Sequence, residues 1–307
     1  MDNVKRQHYV WRHHLSAWAD NEQIWTLRKS GNDYKVFKTN LMGVAQERYF
    51  YEQLDMDEIE EVYLEKFIDK LSSNSFFKNI NKVFFQIFTF YNTLRKISNL
   101  YIHDSAKLEE NLLFLKRNML ESYHTRIENL GMKLLNCVEN KNYGYLNDQQ
   151  SRFETVFYLC IQYCRTDKMK QFYIENYKKI YPDCSKFWTI INLSFAANFS
   201  FSIFTNPNLS FTFFENDSDI NFITCDQPIF NVLNDILDEK GEVIGLELYY
   251  PVSPKLSLLL SFVNETNNLV NVVKIPINQV KNYNNLVAKQ YHQFLFAKNE
   301  DELLSYQ

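Results

Sequence analysis

The sequence has few residues that interrupt regular structure, and it carries no familiar catalytic signature. Glycine and proline occur only 6 times each in 307 residues, so long flexible linkers are not expected. A Walker loop, a zinc-finger spacing and a nucleophile elbow are all absent. The formal net charge of −4 argues against strong overall attraction to nucleic acid or anionic lipid, although it allows a local basic groove.

Cysteine is also scarce, and its pattern bears on the cellular compartment. The 5 cysteines are odd in number and lack a framework spacing, which fits a reducing cytosol better than a disulfide scaffold. Cys160 and Cys164 lie one helical turn apart without a second Cys or His pair, so two packed thiols are favoured over a zinc site. Since the N-terminus lacks an apolar signal core, we expect a cytoplasmic protein. Abundant Phe, Tyr, Asn and Lys suggest an AT-rich bacterial genome.

One segment approaches the composition of a membrane span, which needs about 20 mainly apolar residues. Residues 187–214 carry no charge and are rich in Phe, Leu and Ile. Several Asn and Ser residues and Pro207 interrupt this segment. The interruptions favour a buried helix followed by a strand, and no membrane partner is expected.

The hydrophobic periodicity changes twice along the chain and predicts an α+β fold. Residues 1–52 look β-rich, residues 53–206 helical and residues 207–307 again β-rich, within a single domain covering 1–307. A hairpin over 23–37, with its turn at Ser30-Gly31-Asn32-Asp33, has too little core of its own. We therefore expect a helical central layer packed on a mostly antiparallel sheet that the N- and C-terminal strands form together, with the N-terminal segment beside Asp226.

Individual elements follow from the same patterns. A short helix is expected within 11–18, and Asp57 with Glu60 three residues later resembles a helix-capping arrangement. Further helices are predicted at 75–97, 105–138, 148–165, 168–181, 184–204 and 276–290. Strands are predicted at 209–214, 222–224, 246–250, 256–262 and 293–297.

Several short motifs carry a resemblance to a known family. The chain opens with Gln7-His8-Tyr9-Val10-x-Arg12, continues with Gln162-x-x-Arg165-Thr166, and later has Phe222-Ile223-Thr224-Cys225-Asp226-Gln227-Pro228. A Tyr250-Pro251-Val252-Ser253-Pro254 step and Asn285 with Ala288 follow. In order and spacing these motifs resemble the bacterial domain-of-unknown-function family numbered 4238 over nearly the whole chain. Trp11, Cys225 and Gln227 stand where that family commonly has Pro, Ser and Asn. The resemblance implies a set of polar positions and no established activity.

Those positions supply the candidate site residues. His8 could transfer a proton near neutral pH or cap a turn. Gln162 and Arg165 share one face of a largely apolar helix, where a guanidinium needs a carboxylate or a ligand phosphate. Asp226 ends a strand and is the obvious partner, so the pattern also fits a structural Arg165–Asp226 pair. The acidic cluster from Asp55 to Glu61 is interpreted as a solvated helix start.

Two hypotheses of different classes remain open. The first is a metal-independent phosphodiesterase or ribonuclease in stress or phage defence, with His8, Arg165 and Asp226 catalytic and Gln162 and Asn285 holding a nucleic acid or nucleotide. The alternative is a non-catalytic binding module for a small anion, a nucleotide or a protein partner. Neither hypothesis requires a metal or another cofactor. Catalysis predicts that His8 and Arg165 face one open cleft, whereas a structural role predicts that both are buried and paired.

Overall fold

The computed structural model describes residues 5–31, 33–72, 74–98, 105–181, 183–262 and 268–307, so Asn32 of the predicted turn lies outside it. The helices are α1 Arg12–Leu15, α2 Glu58–Lys70, α3 Ser75–Ser98, α4 Ser105–Leu130, α5 Met132–Asn140, α6 Gln149–Cys164, α7 Asp167–Tyr177, α8 Trp188–Phe204, α9 Ile277–Gln290 and α10 Asp301–Leu304. The strands are β1 Arg6–His8, β2 Gln23–Ser30, β3 Asp33–Asn40, β4 Gln46–Arg48, β5 Ser210–Glu215, β6 Thr224–Cys225, β7 Phe230–Asn231, β8 Leu248–Ser253, β9 Leu256–Ser261, β10 Val270–Lys274 and β11 Phe294–Ala297.

The predicted α+β class is confirmed, and strands from both ends of the chain share a sheet. The β2–β3 hairpin joins β11 and β6 in an antiparallel sheet of order β3-β2-β11-β6, with Leu27 opposite Leu295. A second sheet has the order β10-β5-β9-β8-β7, and only its β10–β5 pair is parallel. Strands β1 and β4 form a separate short ladder. The expected single sheet is therefore replaced by two main sheets and this ladder.

Strands of both main sheets are buried on their two faces. In β8, Tyr250 belongs to the large core that also contains the helices, whereas Tyr249 belongs to a smaller core that includes residues of α9. In β11, Phe296 likewise belongs to the large core and Leu295 to the smaller core. Alternate residues of a strand point to opposite faces. Helical cover on one side and α9 on the other therefore bury both faces of these strands.

The helical middle of the chain agrees with the sequence except at one break. The capping prediction is confirmed, since Asp57 Oδ1 accepts from the Glu60 amide at 2.8 Å and Glu60 Oε2 accepts from the Asp57 amide at 2.9 Å. The single helix expected over 105–138 is instead α4 followed by α5, with Gly131 between them. A Cβ at Gly131 would lie 2.6 Å from the ring of buried Tyr158. Glycine therefore permits the close approach of this junction to α6.

The predicted strand bounds differ most from the structure where backbone amides donate to groups that are not in a neighbouring strand. Strand β6 covers only Thr224–Cys225, because the amide of Phe222 donates to Pro254 O at 2.9 Å and that of Ile223 to the Asn284 side chain at 3.1 Å. Strands β7 and β10 were not predicted. Each lies at an edge of the five-stranded sheet, and β10 has a mainly exposed, weakly alternating sequence.

The apolar segment 187–214 forms α8 and then β5, as expected. Eleven of the residues in α8 are buried, including Asn192, Ser194 and Ser200. No helix within the described ranges is long and apolar enough to cross a membrane. The run of Phe and Ile residues is accounted for by packing against α6 and α3.

Candidate functional site

His8, at the end of β1, lines an open cleft. The cleft has a volume of about 310 Å³, and its walls come from the N-terminal segment, the turn at residue 41 and α4: Trp11, Arg12, His13, Ser16, Glu22, Leu41, Glu121 and Glu128. His8 is half-buried, and its Nε2 lies 3.3 Å from the carbonyl oxygen of Leu41. If that carbonyl accepts from Nε2–H, the neutral ring carries its lone pair on Nδ1. His8 is then able to accept a proton at Nδ1.

The surroundings of His8 favour its neutral form. Burial lowers the pKa of His8, the Leu41 hydrogen bond acts in the opposite direction, and the positive charges of Arg12, Arg165 and Arg6 lower it further. A neutral imidazole at physiological pH is suited to act as a general base. The same guanidinium groups make the neighbourhood of His8 favourable for an anion.

Glu121, on α4, supplies a second titratable group in this cleft. Its carboxylate is half-buried and has no hydrogen-bond partner within the described residues. Burial raises the pKa of Glu121 to about 7, with Arg165 opposing the shift and Glu128 adding to it. A protonated Glu121 can donate a proton where a neutral His8 can accept one. Environments that push two such groups in these directions are typical of acid–base pairs.

The raised pKa of Glu121 predicts a measurable dependence of stability on pH. Because folding favours the protonated carboxyl, its contribution is fully present below the unfolded pKa near 4.5 and is lost as pH rises through about 7. Glu121→Gln should therefore stabilise the protein above pH 7, by about 1–3 kcal/mol after allowance for partial exposure. Urea unfolding at several pH values measures this effect.

Glu139→Gln, which removes an exposed carboxylate on α5, is the matched control for that series. A stability curve for Glu121→Gln that runs parallel to the wild-type curve from pH 4 to 8 would contradict the assignment.

Arg165 does not open into the cleft. It is 2% exposed, and its Nη2 donates to Glu128 Oε1 at 2.5 Å. With the Gln162 amide oxygen turned towards the guanidinium, that oxygen accepts from Nη2 and Nε at 3.0 Å each. Gln162 and Arg165 thus meet as their helical spacing predicts, but the carboxylate partner is Glu128.

The remaining guanidinium nitrogen of Arg165 has little space around it. Nη1 has no hydrogen-bond partner within the described chain. Arg165 borders a separate cavity of about 10 Å³, together with Tyr51, His124 and Trp188. That volume suits about one water molecule and is too small for a phosphoryl group. Arg165 therefore holds Glu128 at the cleft wall from the protein interior.

Asp226 is held by the chain that leads into β11. Its Oδ1 accepts from the His292 amide at 2.7 Å, and its Oδ2 accepts from the amides of Gln293 and Phe294 at 2.7 and 3.0 Å. The side chain is 1% exposed, and burial raises its pKa to about 6, while the three amides act in the opposite direction. The expected Arg165–Asp226 pair is therefore wrong, because Arg165 pairs with Glu128 and Asp226 accepts from three backbone amides.

The N-terminal segment nevertheless lies close to Asp226, as expected. The indole Nε1 of Trp18 donates to Phe222 O at 2.7 Å, and His14 Nε2 lies 3.3 Å from Thr224 Oγ1. Burial and the neighbouring carboxylates, Asp226 foremost, raise the pKa of Tyr9. The segment that carries His8 is thus fixed against the strand that leads to Asp226, although His8 and Asp226 share no hydrogen bond.

The motif that ends at Thr166 and the motif that contains Asp226 contact each other through Thr166 and Gln227. Thr166 donates its hydroxyl hydrogen to Gln227 Oε1, and Gln227 Nε2 donates to the carbonyls of Tyr163 and Ile229 at 3.1 and 2.7 Å. Gln227 is 2% exposed. These contacts lock the end of α6 to the turn after β6, which is a structural role.

The structure places Asn285 away from the cleft. It is exposed on α9, and its Oδ1 accepts from the Tyr306 hydroxyl at 3.4 Å. The preceding residue, Asn284, is buried and bonds to the Ile223 amide at 3.1 Å and to Asn221 O at 2.8 Å. Asn284 therefore anchors the motif strand, and Asn285 is not brought together with the other candidates.

Sequence reasoning missed Glu121 and Glu128. They lie seven residues apart on α4, a spacing that places them near one face of a helix, but such a pair is indistinguishable from a solvated helix face. The chain also contains a buried relay that was not predicted: His14 Nδ1 and Tyr250 OH are 2.8 Å apart, and Tyr250 OH and Tyr158 OH are 2.9 Å apart. Burial lowers the pKa of His14 to about 3, so this relay is neutral.

The cysteines are free and buried. Burial raises the pKa of Cys164 to about 12 and that of Cys225 well above its usual range, which disfavours either as a thiolate nucleophile. Within the part of the chain that is described, no group of three or more His, Cys, Asp or Glu side chains is arranged to hold a metal ion.

Comparison with known proteins gives one match. The model of the family described as "Protein of unknown function (DUF4238)" matches residues 6–301. No curated protein matches the chain, and no solved structure matches it.

Proposed function

We propose that this chain, which belongs to the DUF4238 family of proteins of unknown function, is a metal-independent phosphodiesterase that cleaves RNA in the cleft at His8. The observation that carries the proposal is the pairing of His8 with Glu121 in one cleft, where their surroundings favour a neutral base and a protonated acid. Two such groups can move both protons of the reaction when the substrate supplies its own nucleophile.

The proposed reaction is internal transfer at an RNA phosphodiester. His8 Nδ1 takes the proton of the ribose 2′-hydroxyl, and the 2′-oxygen bonds to phosphorus. The bond from phosphorus to the 5′-oxygen breaks, and Glu121 donates its proton to that leaving oxygen. The products are a 2′,3′-cyclic phosphate and a free 5′-hydroxyl, so no water or metal is consumed in this step.

Positive charge for the phosphate comes from Arg12 in this proposal. Arg12 is exposed on α1, lines the cleft and lies close enough to His8 to influence its pKa. Arg165, which also bonds to Gln162, holds the Glu128 carboxylate in place at the cleft wall. Asp226 acts at a distance by fixing the turn before β11, and Asn285 has no part in catalysis.

The proposed setting is stress or phage defence in the bacterial cytosol. The five buried, unbridged cysteines suit a reducing compartment. A non-catalytic nucleotide-binding role would use the same cleft, and the following experiment separates it from cleavage.

The test incubates purified protein with RNA and with DNA of the same sequence, in the presence of EDTA. We expect cleavage of RNA only, with 2′,3′-cyclic phosphate ends. The rate should be highest a little below pH 7, between the pKa values of His8 and Glu121, and lower on either side. His8→Ala and Glu121→Gln should each lower it by about 100-fold or more.

Glu139→Gln, an exposed change on α5, controls for the loss of a carboxylate. RNA left intact by the wild-type protein, or cleavage unaffected by both cleft variants, would overturn the proposal. Binding of RNA that depends on Arg12 without any cleavage would replace it with the binding role.

A further inference from the structure

Helix α3 carries an exposed apolar stripe that the core of the protein does not use. Five of its large side chains are between 42% and 53% exposed: Phe76, Val83, Ile87, Phe90 and Ile97. Half-buried Ile80 and Leu94 lie between them. We call these seven residues the α3 seam. Another side of the helix is already packed, with Asn81, Phe88 and Asn92 buried, and buried Tyr91 lies at its edge, one helical turn after Ile87.

The spacing of the α3 seam is that of a coiled coil. Successive members are separated by four, three, four, three, four and three residues, which is a 3.5-residue repeat sustained over three heptads. An ordinary surface helix presents only scattered apolar residues on its solvent side. A 3.5-residue repeat on that side is suited to pack lengthwise against another helix.

The composition of this face favours self-association. The positions beside the seam that are not packed in the core are Asn79, Gln86 and Thr93, so the face from Phe76 to Ile97 carries no charge. Two copies can therefore meet without like-charge repulsion, whereas partner selection by charge would need charged flanking positions. The nearest lysines, Lys82 and Lys96, lie towards α2, where Lys96 pairs with Glu61.

The size of the seam also fits a helix pair. It extends over about 32 Å at 1.5 Å per residue. A Phe side chain offers roughly 150–250 Å² and the three aliphatic side chains less, so at about half exposure the five present on the order of 400 Å² of apolar surface. That lies within the range of the largest apolar patch on a typical monomer and is about half of the roughly 800 Å² per partner of a standard interface.

We propose that the α3 seam joins two copies of this chain into a two-fold symmetric dimer through an α3–α3 helix pair. The interface is self-complementary, as a two-fold contact requires. It involves α3 only, and none of the seam residues lines the His8 cleft. The inference therefore does not depend on the proposed catalytic function.

Sedimentation of the purified full-length chain over a wide concentration range tests the proposal. The wild type should approach twice the mass of the chain as concentration rises. Val83→Glu with Phe90→Glu should raise the dimer dissociation constant by about 30-fold or more, the effect expected for losing a central interface side chain. Ile180→Glu, which changes a residue 67% exposed after α7, should leave the constant unchanged.

Cross-linking provides a second, independent test of the dimer if the glutamate variants fold poorly. Since all five native cysteines are buried, Ile87→Cys creates one exposed thiol at the middle of the seam. Two overlapping seams bring this position close to its copy in either helix direction, so oxidation should give a disulfide-linked dimer. Ile180→Cys should not give one. A wild type that stays monomeric at every concentration, or dimers insensitive to the seam changes, would overturn the proposal.

Discussion

Glu128→Ala is expected to lower the free energy of unfolding by about 3–5 kcal/mol, because it leaves the buried Arg165 guanidinium without its carboxylate. The two side chains are 15% and 2% exposed, and their 2.5 Å contact is the only ion pair that Arg165 makes within the described residues. Gln162 offers one amide oxygen and no compensating charge. Urea unfolding at neutral pH measures the loss.

An exposed pair gives the matched control. Asp217 and Lys274 are 2.6 Å apart, yet their side chains are 65% and 71% exposed, so Asp217→Ala should leave stability within experimental error. Replacing Glu128 and Arg165 together by Leu and Met should recover much of the loss, since no charge then remains buried. If Glu128→Ala were no more harmful than Asp217→Ala, the buried-pair interpretation would be wrong.

Asp226→Asn should cost about 2–4 kcal/mol and should loosen the start of β11. The carboxylate accepts three backbone hydrogen bonds, and bonds to a charged acceptor contribute about 1.5–3 kcal/mol each without being additive. Burial of the charge, which raises the pKa of Asp226 to about 6, offsets only part of that contribution. An amide side chain keeps one acceptor oxygen and turns an N–H group towards donors that it cannot satisfy.

Hydrogen exchange distinguishes this role from a general loss of stability. The amides of His292, Gln293 and Phe294 should exchange faster in Asp226→Asn than in Asp219→Asn, which changes an exposed side chain in the loop before β6. Uniformly faster exchange across the protein, with no excess at these three amides, would argue that Asp226 does not clamp this turn.

The parts of the fold that the sequence revealed are those with local causes. The Asp57–Glu60 capping box forms within one helical turn, and the β2–β3 hairpin follows from strand alternation around a turn. The close approach that requires glycine at position 131 could not be predicted, because the contacting ring belongs to Tyr158, which is distant in sequence. The strand order likewise depends on pairing between distant segments, such as β2 with β11.

The candidate site, too, could be predicted only where its causes are local in the sequence. A guanidinium at position 165 of an apolar helix requires a partner, and that requirement is visible in the sequence. The identity of the partner is not, since Glu128 lies 37 residues earlier on a helix whose charges look solvated, whereas Asp226 stands in a conspicuous motif. Similarly, Asn284 and Asn285 are adjacent identical residues, and the rotation of α9 about its axis decides which of them faces the core.

We propose that His8 and Glu121 form an acid–base pair in one cleft. Side-chain NMR titration of both groups, with His8→Ala and Glu121→Gln used to assign the signals, tests that claim most directly. The structure predicts a Glu121 carboxyl pKa of about 7 and a His8 imidazole pKa below 6.5, so that the base is neutral while much of the acid keeps its proton just below pH 7. A Glu121 carboxyl that is fully ionised by pH 5.5 would contradict the account.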